Sequence, residues 1–168
     1  MTSLQTVIKS LRLKPHPEGG YFRETYRSTG EISRENLGAE YSGKRNYSTC
    51  IYFLLTSESF SAFHRIVQDE IWHFYEGSPI SFHMISPKGE YSGVIIGSSL
   101  DEGQVPQCVI PCGTWFAACV TDNNAYSLVG CTVSPGFNFD DFELGNRKEL
   151  LTRFPQHSSV IMELTRDS

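Results

Sequence analysis

No apolar run in the 168-residue sequence approaches the ~20 residues that a bilayer-spanning helix needs, so no transmembrane anchor is expected. Clusters of Lys and Arg are missing too. The 14 basic residues face 19 acidic ones, for a net charge of -5, and a nucleic-acid partner is not expected without a basic footprint. Cysteine is sparse: Cys50, Cys108, Cys112, Cys119 and Cys131 make 5, an odd number, and no Cys-x-x-Cys pair occurs. This argues against a zinc site or a disulfide framework. Four of them lie in apolar strand-like runs and read as small buried thiols kept reduced. Cys112, between Pro111 and Gly113, is the one worth watching. The N-terminal stretch, Met1-Thr-Ser-Leu-Gln-Thr-Val-Ile-Lys-Ser-Leu11, lacks a signal-peptide core, which points to the cytoplasm. Internal repeats, low-complexity tracts and internal domain boundaries are also lacking, so residues 1–168 read as one domain.

What is present is a globular composition. Hydrophobic residues make up 39 % and charged ones 20 %, enough to bury a core without covalent staples. Ser3 to Leu13 has the spacing of a short amphipathic helix, with Leu4, Val7, Ile8 and Leu11 on one side and Ser3 as its cap. Two prolines and Gly19-Gly20 then force a turn. Tyr21–Arg27 reads as a strand, and residues 28 to 46 as a long mobile loop. Further strands are expected over 47–56, 61–67, 70–75, 80–85, 91–96, 105–110, 114–120 and 126–133. Asn146 caps a last helix, Arg147 to Phe154, and Val160 to Leu164 suits an edge strand. Nine or ten short strands with helices only at the ends argue for an antiparallel sandwich or barrel.

The chain's chemistry concentrates between Phe60 and Gly77. Glu70, Trp72 and Phe74 share one strand face; Ile71, His73 and Tyr75 share the other. A carboxylate among aromatics is costly unless partnered, and His64, across the Gln68-Asp69 turn, is the nearest candidate.

The spacing His64, Ile66, Glu70, Gly77 resembles the first motif of the cupin superfamily, and Pro111, Gly113, Phe116 the second. Pro17-Glu-Gly-Gly-Tyr21, Glu70-Ile-Trp-His-Phe74, Gly113-Thr-Trp-Phe116 and the run Pro135 to Glu143 are similar to an uncharacterised cupin subfamily of unknown function. The resemblance implies an all-β double-stranded β-helix (a cupin jelly roll) with short N- and C-terminal helices, and a homodimer. Glu18-Gly-Gly-Tyr-Phe-Arg-Glu24 also resembles a strand of the jelly-roll deoxysugar-nucleotide epimerases. Gly19 stands where those enzymes have a substrate-binding Arg, so that contact does not carry over.

Metal-binding cupins typically use three His and one Glu. Here Ile66 and Phe116 occupy two of the His positions, leaving His64 and Glu70 as the only candidate ligands, and no metal or other cofactor is expected. His73 points away from Glu70 by strand parity, and His83 faces either the interior or solvent. His64 and Glu70 are then the expected catalytic acid–base pair, suited to epimerisation or isomerisation next to a carbonyl. Tyr21, Trp72, Phe74, Phe82, Trp115 and Phe116 are the expected ligand-binding lining. Glu18, Tyr21, Arg23 and Glu24 would close the pocket mouth or continue into a dimer contact. Asp140, Asp141 and Glu143 read as a solvated acidic face. The expected ligand is a small molecule, a carbohydrate or nucleotide-sugar derivative. The alternatives are a non-catalytic small-ligand-binding cupin and a metal-dependent one with a reduced ligand set.

Overall fold

The computed structural model describes residues 3–166; Met1 and Thr2, which open the N-terminal stretch read above, lie outside the described residues, as do residues 167–168. A helix α1 (Leu4–Ser10) leads into β1 (Lys14–Pro15), β2 (Tyr21–Arg27), β3 (Glu31–Ile32), β4 (Arg45–Asn46), β5 (Thr49–Thr56), β6 (Phe60–Ile66) and β7 (Asp69–Gly77). Then come β8 (Ile80–Ile85), β9 (Tyr91–Ile96), β10 (Gln107–Ile110), β11 (Trp115–Val120), β12 (Tyr126–Ser134) and β13 (Phe142–Leu144), closed by α2 (Arg147–Arg153) and α3 (Ser158–Glu163). One sheet has the order β1-β2-β5-β12-β7-β10, a second β13-β6-β11-β8-β9, and β3-β4 form a separate ribbon. This is the all-β jelly roll with short terminal helices that the strand rhythm and the motif resemblance imply.

Side-chain alternation builds the layers. Phe53, Trp72, Val129 and Cys131 of the first sheet meet Ile80, Phe82, Phe116 and Ala118 of the second in the central core. One residue out of phase on the second sheet, Phe63, Trp115 and Ala117 face outward, where Leu150, Phe154, Ile161 and Leu164 of the C-terminal helices cover them. Helix α1 does the same for the first sheet, laying Val7 against Leu54, Tyr126 and Leu128. It is capped by Ser3, whose side chain accepts from the Thr6 N–H, and it is shorter than its apolar spacing suggests.

Three expectations are corrected. Residues 28–46 are not one open loop: they contain the β3–β4 ribbon and a helical turn over Arg34–Asn36. Their anchor is Arg45, only 4 % exposed, whose guanidinium donates to both carboxylate oxygens of Asp141 at 2.7 and 2.5 Å. Asp141 is therefore no part of a solvated face; it is 5 % exposed and also accepts from Gln68 Nε2 at 2.7 Å. Two charges buried together are tolerated because the fork geometry satisfies both. Finally, Val160 to Glu163 form part of α3 and Leu164 is its C-cap, rather than an edge strand. Ile161 and Leu164 are three apart, a helical spacing, and both reach the same apolar cluster.

Candidate functional site

A cavity of about 260 Å³ opens beyond the central core, with Phe53, Trp72 and Cys131 shared between core and cavity wall. Strand parity sets most of its lining. On β7, Glu70 and Trp72 point in; opposite them on β12, Val133 pairs with Glu70 and Cys131 with Trp72. From β5 come Thr49, Ile51 and Phe53, and from β6 come His64 and Ile66. On β2, Phe22 and Glu24 face inward, and a register shift between Glu24 and Tyr26 brings Arg27 to the same side. The segment carrying Phe137, Asn138, Phe139 and Phe142 forms another wall.

The partner of His64 is Glu18. Its Oε2 lies 3.0 Å from His64 Nε2, and its Oε1 accepts from the Ser61 hydroxyl at 2.8 Å. Glu18 was expected at the pocket mouth, yet it is 5 % exposed. The turn before β2 delivers it inward. Gly19 has φ +117° and Gly20 φ +73°, and a Cβ on Gly19 would sit 2.2 Å from the Phe60 carbonyl oxygen. Only glycine accepts that conformation and that approach.

The protonation of the pair follows from geometry. His64 Nδ1 is 2.8 Å from the Ala62 carbonyl, which can only accept, so Nδ1 carries a hydrogen. Nε2 is then the nitrogen that meets Glu18, at hydrogen-bonding distance. Burial lowers the His64 pKa and raises that of Glu18, which favours the uncharged form of each. His16 extends this array. Its Nδ1 accepts from the Glu18 backbone N–H at 3.3 Å and lies 3.5 Å from Glu18 Oε2. Burial lowers its pKa as well, and its ring packs edge-on against Phe22 at 4.6 Å.

Glu70 faces the same cavity from the opposing sheet. No hydrogen bond links it to His64 among the described residues; the two interact through the field across the cavity. Burial, followed by the nearby Glu18 carboxyl, raises the Glu70 pKa to about 7, with His64, Cys131 and Trp72 opposing. The Trp72 indole N–H lies on the Glu70 side of the cavity but meets no acceptor at hydrogen-bonding geometry. Glu70 is thus a buried carboxyl, 8 % exposed, turned toward open volume and poised between acid and base.

Of the aromatic residues expected as lining, Trp72 is on the wall. Phe82 and Phe116 are fully buried beneath it, Phe116 with its ring 4.1 Å from that of His64. Phe74 packs against the same core. Trp115 lies on the outer face of its sheet under the C-terminal helices, because its parity is opposite to that of Phe116. Tyr21 packs beside α1. Sequence reasoning did not assign to the lining His16, Phe22, Phe137, Phe139 and Phe142, which sit far from the motif in the chain, or Phe53, on the strand just before it. Only the Pro17-Glu-Gly-Gly segment hinted at Glu18. His73 turns outward to Thr132, at 3.1 Å, and His83 to Tyr91, at 2.8 Å.

A resident transition metal does not fit this donor set. Ile66 and Phe116 stand at two ligand positions, and both His64 nitrogens are engaged by Ala62 and Glu18. No group of three or more His, Cys, Asp or Glu among the described residues is arranged to hold a metal ion.

Comparison with known proteins agrees with this architecture. A structure from Shewanella oneidensis, the protein SO0799, superposes with a TM-score of 0.88 at 40 % identity over the whole of both chains. A hypothetical protein from Leishmania major gives 0.89 at 36 % identity, covering 99 % of this chain and 100 % of that one. An uncharacterized protein of Saccharomyces cerevisiae is 34 % identical over 149 residues, 83 % of this chain and 74 % of that protein. Oxalate decarboxylase from Bacillus subtilis shares the fold alone, at 12 % identity and a TM-score of 0.55, with 92 % of this chain covering 37 % of the enzyme. The family model described as cupin superfamily (DUF985) matches residues 5–145, and the chain belongs to that family.

Proposed function

We propose that the cavity binds a small molecule and that the protein acts on it without a metal, as an epimerase or isomerase moving a proton at a carbon next to a carbonyl. The substrate class is a carbohydrate or nucleotide-sugar derivative. The observation that carries this reading is the placing of two acid–base systems on opposite walls of one cavity. On one side His64 Nε2 and Glu18 Oε2 lie 3.0 Å apart. On the other, Glu70 has a pKa of about 7 and so exists in both forms near neutrality. A carboxyl tuned to the working pH is the effective general base, and a hydrogen-bonded carboxyl–imidazole pair can protonate the opposite face or stabilise a developing enolate. The aromatic walls exclude water from the reacting centre.

A thermal-shift screen of sugars, nucleotide sugars and keto acids identifies a ligand. Incubating each hit in D₂O and following carbon-bound deuterium by NMR then tests the chemistry. The wild type should exchange the proton next to the carbonyl, and Glu70→Gln should bind but exchange at least ~100-fold more slowly. Hits that bind wild type and Glu70→Gln equally, with no exchange in either, would defeat the enzymatic reading. A specific observation supports that second reading, a ligand-binding cupin without catalysis. Ser61, His64 and Ala62 already satisfy both Glu18 oxygens and both His64 nitrogens.

A further inference from the structure

We propose that the ligand of this cavity is a compact, uncharged hydroxy-carbonyl compound, and that the site excludes phosphate esters, carboxylates and nucleotide diphosphates. This rests on the reading of the cavity as the binding site and narrows its substrate class. The first argument is charge. The described lining holds three carboxyl groups, Glu18, Glu24 and Glu70, and a single guanidinium, Arg27, with no lysine. Arg27 is already spent: its Nε and Nη2 donate to the two Glu24 oxygens at 3.0 and 2.7 Å, Nη1 to Asn46 Oδ1 at 2.9 Å, and Nη2 also to the Phe137 carbonyl at 3.0 Å. An entering phosphate would find one of five guanidinium hydrogens free and would have to lie near Glu70. Anion sites are built the other way, with unpaired Arg forks or backbone N–H groups converging on the ligand.

The second argument is size. About 260 Å³ lies below the usual range of roughly 300–1,000 Å³ for sites that enclose drug-sized ligands. A nucleotide diphosphate would protrude past the Glu24–Arg27 pair into solvent. The third is the unpartnered chemistry facing inward. Glu70 has only the Cys131 thiol and the Trp72 indole N–H as polar protein neighbours, neither at full hydrogen-bonding geometry, and among the described residues His16 is hydrogen-bonded through Nδ1 alone. A carboxyl and an imidazole N–H answer a hydroxyl and a carbonyl oxygen, and neither needs a charge on the ligand.

Cys131 provides a reporter that requires no knowledge of the ligand, because its thiol lines the cavity, while Cys112 is exposed. The probes are hydroxyethyl methanethiosulfonate, which is neutral, and sulfonatoethyl methanethiosulfonate, which is anionic and of similar size. In each, the cysteine thiolate attacks the sulfenyl sulfur, forms a disulfide and releases methanesulfinate. Peptide mass mapping gives both rates at both cysteines. The low thiolate fraction of buried Cys131 cancels in its own neutral-to-anionic ratio. At pH 8, above the Glu70 pKa of about 7, that ratio should exceed the ratio at Cys112 by at least ~10-fold, since the anion meets the uncompensated Glu70 carboxylate in a poorly screened volume. Glu24→Gln frees the Arg27 guanidinium, so the anionic reagent should gain about fivefold or more at Cys131 and nothing at Cys112. Equal ratios at the two cysteines would overturn the charge selectivity. Reaction of Cys112 with no reaction of Cys131 toward the neutral reagent would overturn the entry of small uncharged solutes. Neither result bears on whether the bound molecule exchanges a proton, so the catalytic proposal stands or falls separately.

Discussion

Replacing Glu70 by Gln should change the way stability depends on pH, and the effect can be sized from the site. Burial, aided by the neighbouring Glu18, raises the folded-state carboxyl from an ordinary value of 4.5 to about 7. An acid raised in the folded state binds its proton more tightly there than in the unfolded chain. Its contribution is fully present below about pH 4.5 and is lost as the pH climbs through 7. The two values lie roughly 2.5 pH units apart, and at about 1.4 kcal/mol for each the loss is about 3 kcal/mol. Glu18 acts in the same direction, whereas His16 and His64, lowered by burial, contribute stability that is lost as the pH falls. Those groups remain in the variant, so the difference between the two curves reports Glu70 together with its coupling to Glu18 and His64. Urea titrations or thermal melts from pH 4.5 to 8 should show Glu70→Gln gaining about 3 kcal/mol on wild type across the range, roughly 6–12 °C in Tm for a chain of this length. Parallel curves, separated by a constant within about 1 kcal/mol, would refute the burial of a carboxyl with a raised pKa at this position.

Two further substitutions test the scaffold around the cavity. Arg45→Met should destabilise the fold by about 3–5 kcal/mol in urea denaturation, because it strands the Asp141 carboxylate 5 % exposed and without its guanidinium; pairing it with Asp141→Leu should recover much of the loss. Gly19→Ala should cost about 1–3 kcal/mol, since φ is +117° and the new methyl meets the Phe60 carbonyl at 2.2 Å. It should also move Glu18 and weaken every hit from the ligand screen, seen as smaller thermal shifts.

Much of the architecture was legible from local pattern. Period-two alternation and turn residues located the principal strands, and the motif spacing placed His64, Ile66 and Glu70 in one hairpin, where the structure turns all three into one cavity. Parity also decided that His73 faces away. The failures were of a different kind. Val160 to Leu164 has too few residues to separate a two-residue from a helical period, and packing against Leu150 and Phe154 chose the helix. Trp115 and Phe116 are neighbours in sequence, and nothing local says which of them faces the core.

The residues around Phe60 to Gly77 thus determined by themselves the hairpin, the inward carboxyl and the loss of one metal-ligand position at Ile66, because each depends on alternation or residue identity over a short span. Tertiary structure alone decided what those groups meet. Glu18 reaches His64 from 46 positions away, Asp141 reaches Arg45 across 96, and Phe139 and Phe142 complete a wall begun by Phe22. Such contacts exist only once both sheets are closed on each other. The opposite pKa shifts of His64 and Glu18 and the raised pKa of Glu70 arise from that closure, since it is burial that disfavours charge on each group.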